Sequence, residues 1–146
     1  MAQIQVLQRP TPAQLKRLGQ IWLAGNQEAH GFIPTEYWEK NQAALLAALP
    51  DAEVTVALDA AGQIIGFAGM QGDFLAGIFV ARQARQQGVG TQLVHHLQQH
   101  HHRITLQVYV KNQAAARFYT ALGFTTLAHG TDADTGEAEA TMQWHQ

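Results

Sequence analysis

The feature that most constrains this chain is an apolar run that ends in a basic, glycine-bearing turn and continues as a helical pattern. Residues 78–80 read Ile-Phe-Val, residues 85–90 read Arg-Gln-Gln-Gly-Val-Gly, and residues 92–102 have the apolar spacing of a helix. A glycine turn at a helix N-terminus gathers backbone N–H groups that lack helical partners, at the positive end of the helix dipole. The turn therefore predicts a site for a phosphorylated ligand. A strand-to-helix turn that binds nothing is the second interpretation.

The charge distribution supports an anionic ligand at this turn. Between Asp73 and Asp132 the chain has five of its 9 Lys and Arg residues and none of its 11 Asp and Glu residues. Local positive charge of this kind favours an anionic cofactor. The net charge of −2 gives no electrostatic reason to expect a nucleic acid as partner.

Size and composition indicate one globular unit. With 146 residues and a hydrophobic fraction of 47%, we expect a single domain, residues 1–146, with a sizeable core. The chain has no cysteine, which excludes disulfides, thiolate zinc sites and a cysteine nucleophile. No apolar run reaches transmembrane length and residues 1–10 lack a signal-peptide core, so we expect a cytoplasmic protein with no membrane partner.

Hydrophobic periodicity predicts a mixed α/β sheet with helices on its faces. The predicted order is strand, two helices, three strands, helix, strand, helix and two strands. The first helix is predicted to begin after an N-cap at Thr11 and to end at Gly25-Asn26. The helix between Val80 and Ile104 makes the strands on either side of it parallel, whereas the hairpins are antiparallel. The last strand, residues 138–144, is expected at a sheet edge, where it could pair with another chain.

Two well-known phosphate loops do not fit the turn. A Walker A loop needs Lys-Ser/Thr after the second glycine, but Thr91-Gln92 follows Gly90. A dinucleotide fingerprint needs a third glycine and an acidic residue about 20 positions further on. The chain has neither, because this whole stretch lacks acidic residues.

A second motif suggests which ligand binds. Arg85–Gly90 matches the Q/R-x-x-G-x-G/A pattern of the GCN5-related N-acetyltransferases, and residues 112–124 match that family's N-x-x-A-x-x-F-Y-x-x-x-G-F motif. The chain resembles this family over almost its whole length, with Arg82 in place of the usual proline. The first helix and His30–Trp38 further resemble small bacterial members, for some of which protein lysines are proposed as targets.

The resemblance implies a mostly antiparallel sheet with one splayed parallel strand pair and about four helices. It implies direct transfer of acetyl from acetyl-CoA to a primary amine, which belongs to a small molecule or to a protein lysine or N-terminus. No metal is expected. A non-catalytic acyl-CoA-binding module is the alternative function. The oligomeric state, monomer or homodimer, stays open.

The resemblance also implies residues for the coenzyme A site. The turn and helix start would hold the pyrophosphate, the preceding strand would pair with the pantetheine arm, and the second motif would complete the site. In that order the residues are Arg85, Gln86, Gln87, Gly88, Val89, Gly90 and Thr91, then Ile78, Phe79 and Val80, then Asn112, Ala115, Phe118 and Tyr119.

Three roles remain to be assigned: the general acid, the general base and contact with the acceptor amine. Tyr119 matches the tyrosine that commonly protonates the departing thiolate in the family, and a phenol stays protonated at neutral pH. For the base, Asp73, His30 and a water relay all stay open. The residues predicted to contact the acceptor are Trp22, His30, Phe32, Tyr37 and Asp73.

Overall fold

A computed structural model describes residues 2–146. Within this range the helices are α1 (Pro12–Ala29), α2 (Thr35–Ala48), α3 (Val89–His100) and α4 (Gln113–Ala121). The strands are β1 (Gln3–Leu7), β2 (Glu53–Leu58), β3 (Ile64–Gln71), β4 (Phe74–Val80), β5 (Arg103–Tyr109), β6 (Thr125–Thr131) and β7 (Ala138–His145). Short 3₁₀ turns at Leu49–Asp51 and Arg82–Ala84 follow α2 and β4.

The strands form one sheet in the order β1-β2-β3-β4-β5-β7-β6. All neighbours are antiparallel except β4 and β5, which are parallel because α3 connects them. Apolar side chains of α1 and α2 pack on one face, and those of α3 and α4 pack on the other. The architecture confirms the predicted mixed sheet, its one parallel pair and its four helices.

Strands β4 and β5 separate soon after they meet. Only Phe74 opposite Thr105 and Leu75 opposite Leu106 are in register, although β4 continues to Val80 and β5 to Tyr109. Beyond Leu75, the edge of β4 that faces β5 has no strand partner among residues 2–146. The sheet is therefore open along this line, and the confirmed splay exposes backbone N–H and C=O groups.

Helix α1 begins as predicted but does not end at Gly25-Asn26. Thr11 caps it through a capping box with Gln14. At the other end, the Asn26 side chain donates to the Trp22 carbonyl at 3.0 Å, so it supports the helix instead of stopping it. A Cβ on Gly25 would stand 3.3 Å from a Phe79 ring carbon, so this glycine allows close packing of α1 on the sheet.

The prediction that the last strand lies at a sheet edge is wrong. β7 lies between β5 and β6, and β6 is the edge strand. β7 buries Ala140 and Met142, whereas every residue of β6 is exposed. The strand with apolar residues to bury takes the interior position, because it gains two neighbours there.

No helix among residues 2–146 is long and apolar enough to cross a membrane.

Candidate active site

The glycine turn has the backbone geometry of an anion site. Gly88 is the N-cap of α3 with φ of 79°. Gln86 has φ of 61°, and it is the only non-glycine residue with positive φ among residues 2–146. The first helical bond runs from Gln92 N–H to the Gly88 carbonyl at 3.0 Å. The N–H groups of residues 89–91 therefore have no helical partner, and a turn of this kind makes a concave anion-binding surface.

The two glycines of the turn have different physical roles. Gly88 needs its left-handed φ, and a Cβ there would meet nothing within 4 Å. Gly90 has an ordinary helical position, but a Cβ there would stand 3.2 Å from the Phe118 ring. Gly90 therefore allows α3 to lie against the second motif on α4, and this contact brings the two predicted coenzyme A motifs together.

Arg85 is bound to protein groups at the mouth of the turn. Its Nε donates to the Val80 carbonyl at 3.1 Å, and its guanidinium is paired with Glu28 at the end of α1. Arg82 pairs with the same carboxylate at 3.2 Å. The hydrogen bond from Arg85, together with the two positive charges, lowers the pKa of Glu28. Sequence reasoning missed Glu28, because it is 57 positions from Arg85.

A cavity of about 710 Å³ occupies the gap between β4 and β5, and we call it the split cavity. Its lining comes from both faces of the sheet. From the side of α4 and the open strand edge it includes Ile78, Phe79, Val80, Arg85, Asn112, Ala115 and Tyr119. From the side of α1, α2 and the last strands it includes Trp22, His30, Trp38, Tyr109, Asp132 and Glu139.

Tyr119 stands at the α4 wall of the split cavity and is almost fully buried. It is 7% exposed, and its ring contacts those of Phe118 and Phe124 at centroid distances of 5.1 and 5.3 Å. Burial raises the pKa of the Tyr119 phenol well above its usual range. The hydroxyl therefore keeps its proton at neutral pH, as a proton donor must.

His30 is held as a neutral imidazole. Asn112 caps α4 by accepting from the Ala115 N–H at 3.2 Å, and this leaves its Nδ2 to donate to His30 Nε2 at 3.1 Å. His30 Nε2 must accept, so the ring proton is on Nδ1, which is buried without a hydrogen-bond partner among residues 2–146. Burial also lowers the pKa of His30.

Aromatic rings surround His30 on the face of the sheet that carries α1 and α2. Centroids of Tyr109, Trp38 and Phe32 lie 5.0, 5.3 and 5.7 Å from the His30 centroid. Tyr37 packs edge-on against Trp38, and its hydroxyl donates to Asp134 at 3.4 Å. Trp22 also packs edge-on against Trp38, at 5.8 Å between centroids, so four of the five residues predicted to contact the acceptor belong to one aromatic group.

The fifth, Asp73, is separate from this group. It lies in the turn before β4, where it pairs with Arg103 at 3.3 Å, and it does not line the split cavity. Three other acids line the cavity: Glu28, which is paired with the two arginines, Asp132 and Glu139. Asp132 accepts from the Tyr109 hydroxyl at 2.6 Å, and Glu139 lies opposite Tyr109 in the β5–β7 register.

Known proteins with this arrangement were found by sequence and by structure. A family model described as an acetyltransferase (GNAT) domain matches residues 50–126. The chain belongs to the GCN5-related N-acetyltransferase (GNAT) family. Peptidyl-lysine N-acetyltransferase YiaC of Escherichia coli (strain K12) is 32% identical over 137 residues, which cover 90% of this chain and 91% of YiaC.

Structural similarity agrees with this GNAT assignment. The solution structure of apo-form YjaB from Escherichia coli has a TM-score of 0.85 at 24% identity, covering 99% of this chain and 97% of that one. An aminoglycoside 6'-N-acetyltransferase complexed with coenzyme A has a TM-score of 0.75 at 16% identity, covering 98% and 96%.

As a GNAT member, the chain is an acetyl-CoA-dependent N-acetyltransferase that moves acetyl to an amine. The predictions of family, reaction and cosubstrate are confirmed, and nothing among these relatives supports the non-catalytic alternative. Its own residues fit this cosubstrate. The positive-φ turn at Gly88 presents free N–H groups, and the open edge of β4 beyond Leu75 can accept an extended chain.

Proposed function

We propose that this protein acetylates the Nε amine of lysine side chains in proteins or peptides. The observation that carries the proposal is the acceptor side of the split cavity, where aromatic rings and the carboxylates of Asp132 and Glu139 line one opening. A lysine side chain has a long apolar stem and a cationic tip, which suit aromatic walls and carboxylates respectively. YiaC, which is named for peptidyl-lysine, supports the same acceptor.

The cosubstrate side of the proposal assigns each part of acetyl-CoA to residues of this chain. The N–H groups of residues 86–91 are proposed to bind the pyrophosphate, and the open edge of Ile78–Val80 to pair with the pantetheine arm. Holding the thioester still next to the amine removes much of the entropic cost of the reaction. Asn112 and Ala115 complete this wall on α4.

Tyr119 is proposed as the general acid. It lines the split cavity from α4, and its buried phenol is protonated at neutral pH. It would give its proton to the sulfur of coenzyme A as the carbon–sulfur bond breaks.

One sheet carries both sides of the site, which supports the prediction that residues 1–146 form a single N-acetyltransferase domain. A cytoplasmic location remains a prediction. It is consistent with the proposed protein substrates.

The acceptor is tested with a panel of amines in an assay of coenzyme A release. The panel contains a lysine peptide with a blocked N-terminus, the same peptide with a free N-terminus and Nε-acetyl-lysine, spermidine and an aminoglycoside. We expect kcat/KM for the blocked lysine peptide to exceed the others by about tenfold or more. Mass spectrometry should place the acetyl group on Nε. Better turnover of spermidine, the aminoglycoside or the N-terminal amine would contradict the proposal.

A further inference from the structure

We propose that Glu139 is the general base that takes the proton from the acceptor ammonium, and that Asp132 anchors this ammonium before transfer. The inference rests on the proposed lysine acceptor, because a lysine amine is protonated at neutral pH and cannot attack until it loses a proton.

The position of Glu139 follows from the order of the strands. Because β7 lies beside β5, Glu139 is directly opposite Tyr109. Side chains alternate across a sheet, and Leu106 and Met142 point to the core beneath α3 and α4. Glu139 and Tyr109 therefore project to the acceptor face. Glu139 is half-buried and lines the split cavity, as Tyr119 does from the opposite side.

The pKa values of Asp132 and Glu139 are shifted in opposite directions, which suits an anchor and a base respectively. Burial alone would raise the pKa of Asp132, but hydrogen bonds from the Tyr109 hydroxyl and the Asp134 N–H outweigh burial and lower it. Burial raises the pKa of Glu139, and the negative charge of Asp132 raises it further. Asp132 thus stays ionised and binds charge, whereas Glu139 is the stronger base. Neighbouring acids with divergent pKa values mark separate roles.

The other candidate bases fit less well. His30 uses Nε2 to accept from Asn112, its Nδ1 already carries the proton, and burial lowers its pKa. Asp73 lies outside the cavity and is paired with Arg103. Among the acids of residues 2–146 that line the cavity, Asp132 already accepts hydrogen bonds on both carboxylate oxygens, and Glu28 is paired with two arginines. Glu139 is the remaining acid.

Trp38 gives an independent sign that a polar group belongs in this part of the cavity. Its side chain lines the cavity and is 7% exposed, yet its indole N–H is buried without a hydrogen-bond partner among residues 2–146. A buried donor without a partner costs about 1–3 kcal/mol, so such groups usually have a ligand or water to bond.

The titratable and charged groups around Glu139 come from several elements. Asp132 lies in the β6–β7 loop, Tyr109 on β5 and His30 at the end of α1, and all three line the same cavity. The Lys111–Glu137 ion pair, at 3.1 Å, lies at the same end of β5 and β7. Asp132 is the neighbour whose charge raises the pKa of Glu139.

Atoms and charges are conserved in the proposed transfer. The ammonium gives one proton to the Glu139 carboxylate, and the freed nitrogen lone pair forms a bond to the thioester carbonyl carbon. The carbon–sulfur bond then breaks, and its electron pair leaves on sulfur, which receives a proton from Tyr119. The second nitrogen proton leaves as the amide forms and restores the Tyr119 hydroxyl. Glu139 releases its proton to water, so the net products are an amide, a thiol and one proton.

The test compares Glu139→Gln with wild type and with Glu39→Gln, which removes a carboxylate from the exposed surface of α2. kcat/KM for the amine is measured from about pH 6 to pH 10. At pH 7 we expect Glu139→Gln to lower kcat/KM about 100-fold, a usual size for loss of a general base. The deficit should shrink about tenfold for each added pH unit and vanish near about pH 9, because the fraction of deprotonated acceptor rises tenfold per unit below its pKa of ~10.4.

Binding of acetyl-CoA and the thermal midpoint are measured in parallel, and both should match wild type. Glu39→Gln should follow the wild-type profile. A Glu139→Gln profile that is parallel to wild type at every pH, or equal to it, would overturn the proposal. If Glu139→Gln unfolds, Glu139→Asp is used, with the same pH criterion. If wild type rejects lysine but acetylates another amine of the panel, the lysine proposal fails, and Glu139 is tested on that amine.

Discussion

The two sides of the split cavity are built in different ways. The proposed coenzyme A side combines backbone from two short stretches, the open edge of β4 and the turn of residues 85–91, with Asn112, Ala115 and Tyr119 of the second motif. The acceptor side consists of large aromatic and acidic side chains from α1, α2, β5 and the β6–β7 region. One side therefore depends on backbone conformation, and the other depends on side-chain chemistry.

This difference indicates which residues can be substituted on each side without loss of the reaction. Backbone groups recognise phosphates that are the same in every turnover, so a short local motif is sufficient. Side chains that come from distant segments can be replaced one at a time, which changes the acceptor without disturbing the cosubstrate. Substitutions should therefore affect the binding of one substrate only, or, at Tyr119, the chemical step without acetyl-CoA binding. Four variants test this separation.

Tyr119→Phe should have the largest effect, because Tyr119 is proposed to act in the chemical step itself. We expect kcat to fall by about 100-fold or more, with the dissociation constant of acetyl-CoA unchanged. Stopped-flow transfer rates and calorimetric titration measure the two quantities. An unchanged kcat would remove Tyr119 from the mechanism.

Gly88→Ala should weaken acetyl-CoA binding and leave the acceptor unaffected. We expect the acetyl-CoA dissociation constant to rise about tenfold to thirtyfold, as for loss of a charge-assisted hydrogen bond. Gly62→Ala is the matched control, because Gly62 has φ of 80° and Gly88 has φ of 79°, and a Cβ meets nothing within 4 Å at either.

Both glycine variants place a side chain in left-handed backbone, so both should lose roughly 1–2 kcal/mol of stability. Only Gly88→Ala should change binding, as measured by calorimetry. An equal loss of affinity in Gly62→Ala would show that the effect comes from general destabilisation.

Asp132→Asn should affect the acceptor side. We expect the Michaelis constant for the amine to rise about fivefold and that for acetyl-CoA to stay the same, because only the ammonium loses a charge partner. The charge of Asp132 raises the pKa of Glu139, so its removal should lower that pKa. The acid limb of kcat/KM should then move to lower pH. A shift to higher pH would contradict the assignment.

Glu28→Gln should have the smallest effect. It releases Arg82 and Arg85 from an exposed ion pair, and such pairs contribute little to stability. The freed guanidinium groups should lower the Michaelis constant for acetyl-CoA about twofold at low salt, and less at physiological salt. A large increase in the Michaelis constant for acetyl-CoA would mean that Glu28 holds Arg85 in the orientation that binds phosphate.

Local patterns were enough to predict most of the fold and the coenzyme A side. The order of strands and helices along the chain agrees with the predicted one, and Thr11 caps its helix as predicted. These features depend on residues a few positions apart. Gly25 was misinterpreted because a glycine that ends a helix and a glycine that allows close packing cannot be distinguished in the sequence. The residue that it packs against, Phe79, lies far along the chain.

The position of Glu139 could not be predicted for the same reason. Glu139 reaches the cavity only because β7 inserts between β5 and β6, and no local signal distinguishes this position from a sheet edge. The Tyr109–Asp132 hydrogen bond likewise joins residues 23 positions apart. Asp73 was a candidate because it lies just before β4. In the structure it pairs with Arg103, at the start of the neighbouring strand β5, and this pair lies away from the cavity.

In the proposed reaction, one cavity crosses the sheet and joins a coenzyme A side to a lysine side. A bisubstrate compound, in which an acetyl bridge links the sulfur of coenzyme A to the Nε of a lysine peptide, tests it directly by calorimetry. The account predicts binding at least about 100-fold tighter than coenzyme A alone, because the second contact becomes intramolecular. Asp132→Asn should lose part of this gain, whereas binding no tighter than that of coenzyme A would contradict the claim.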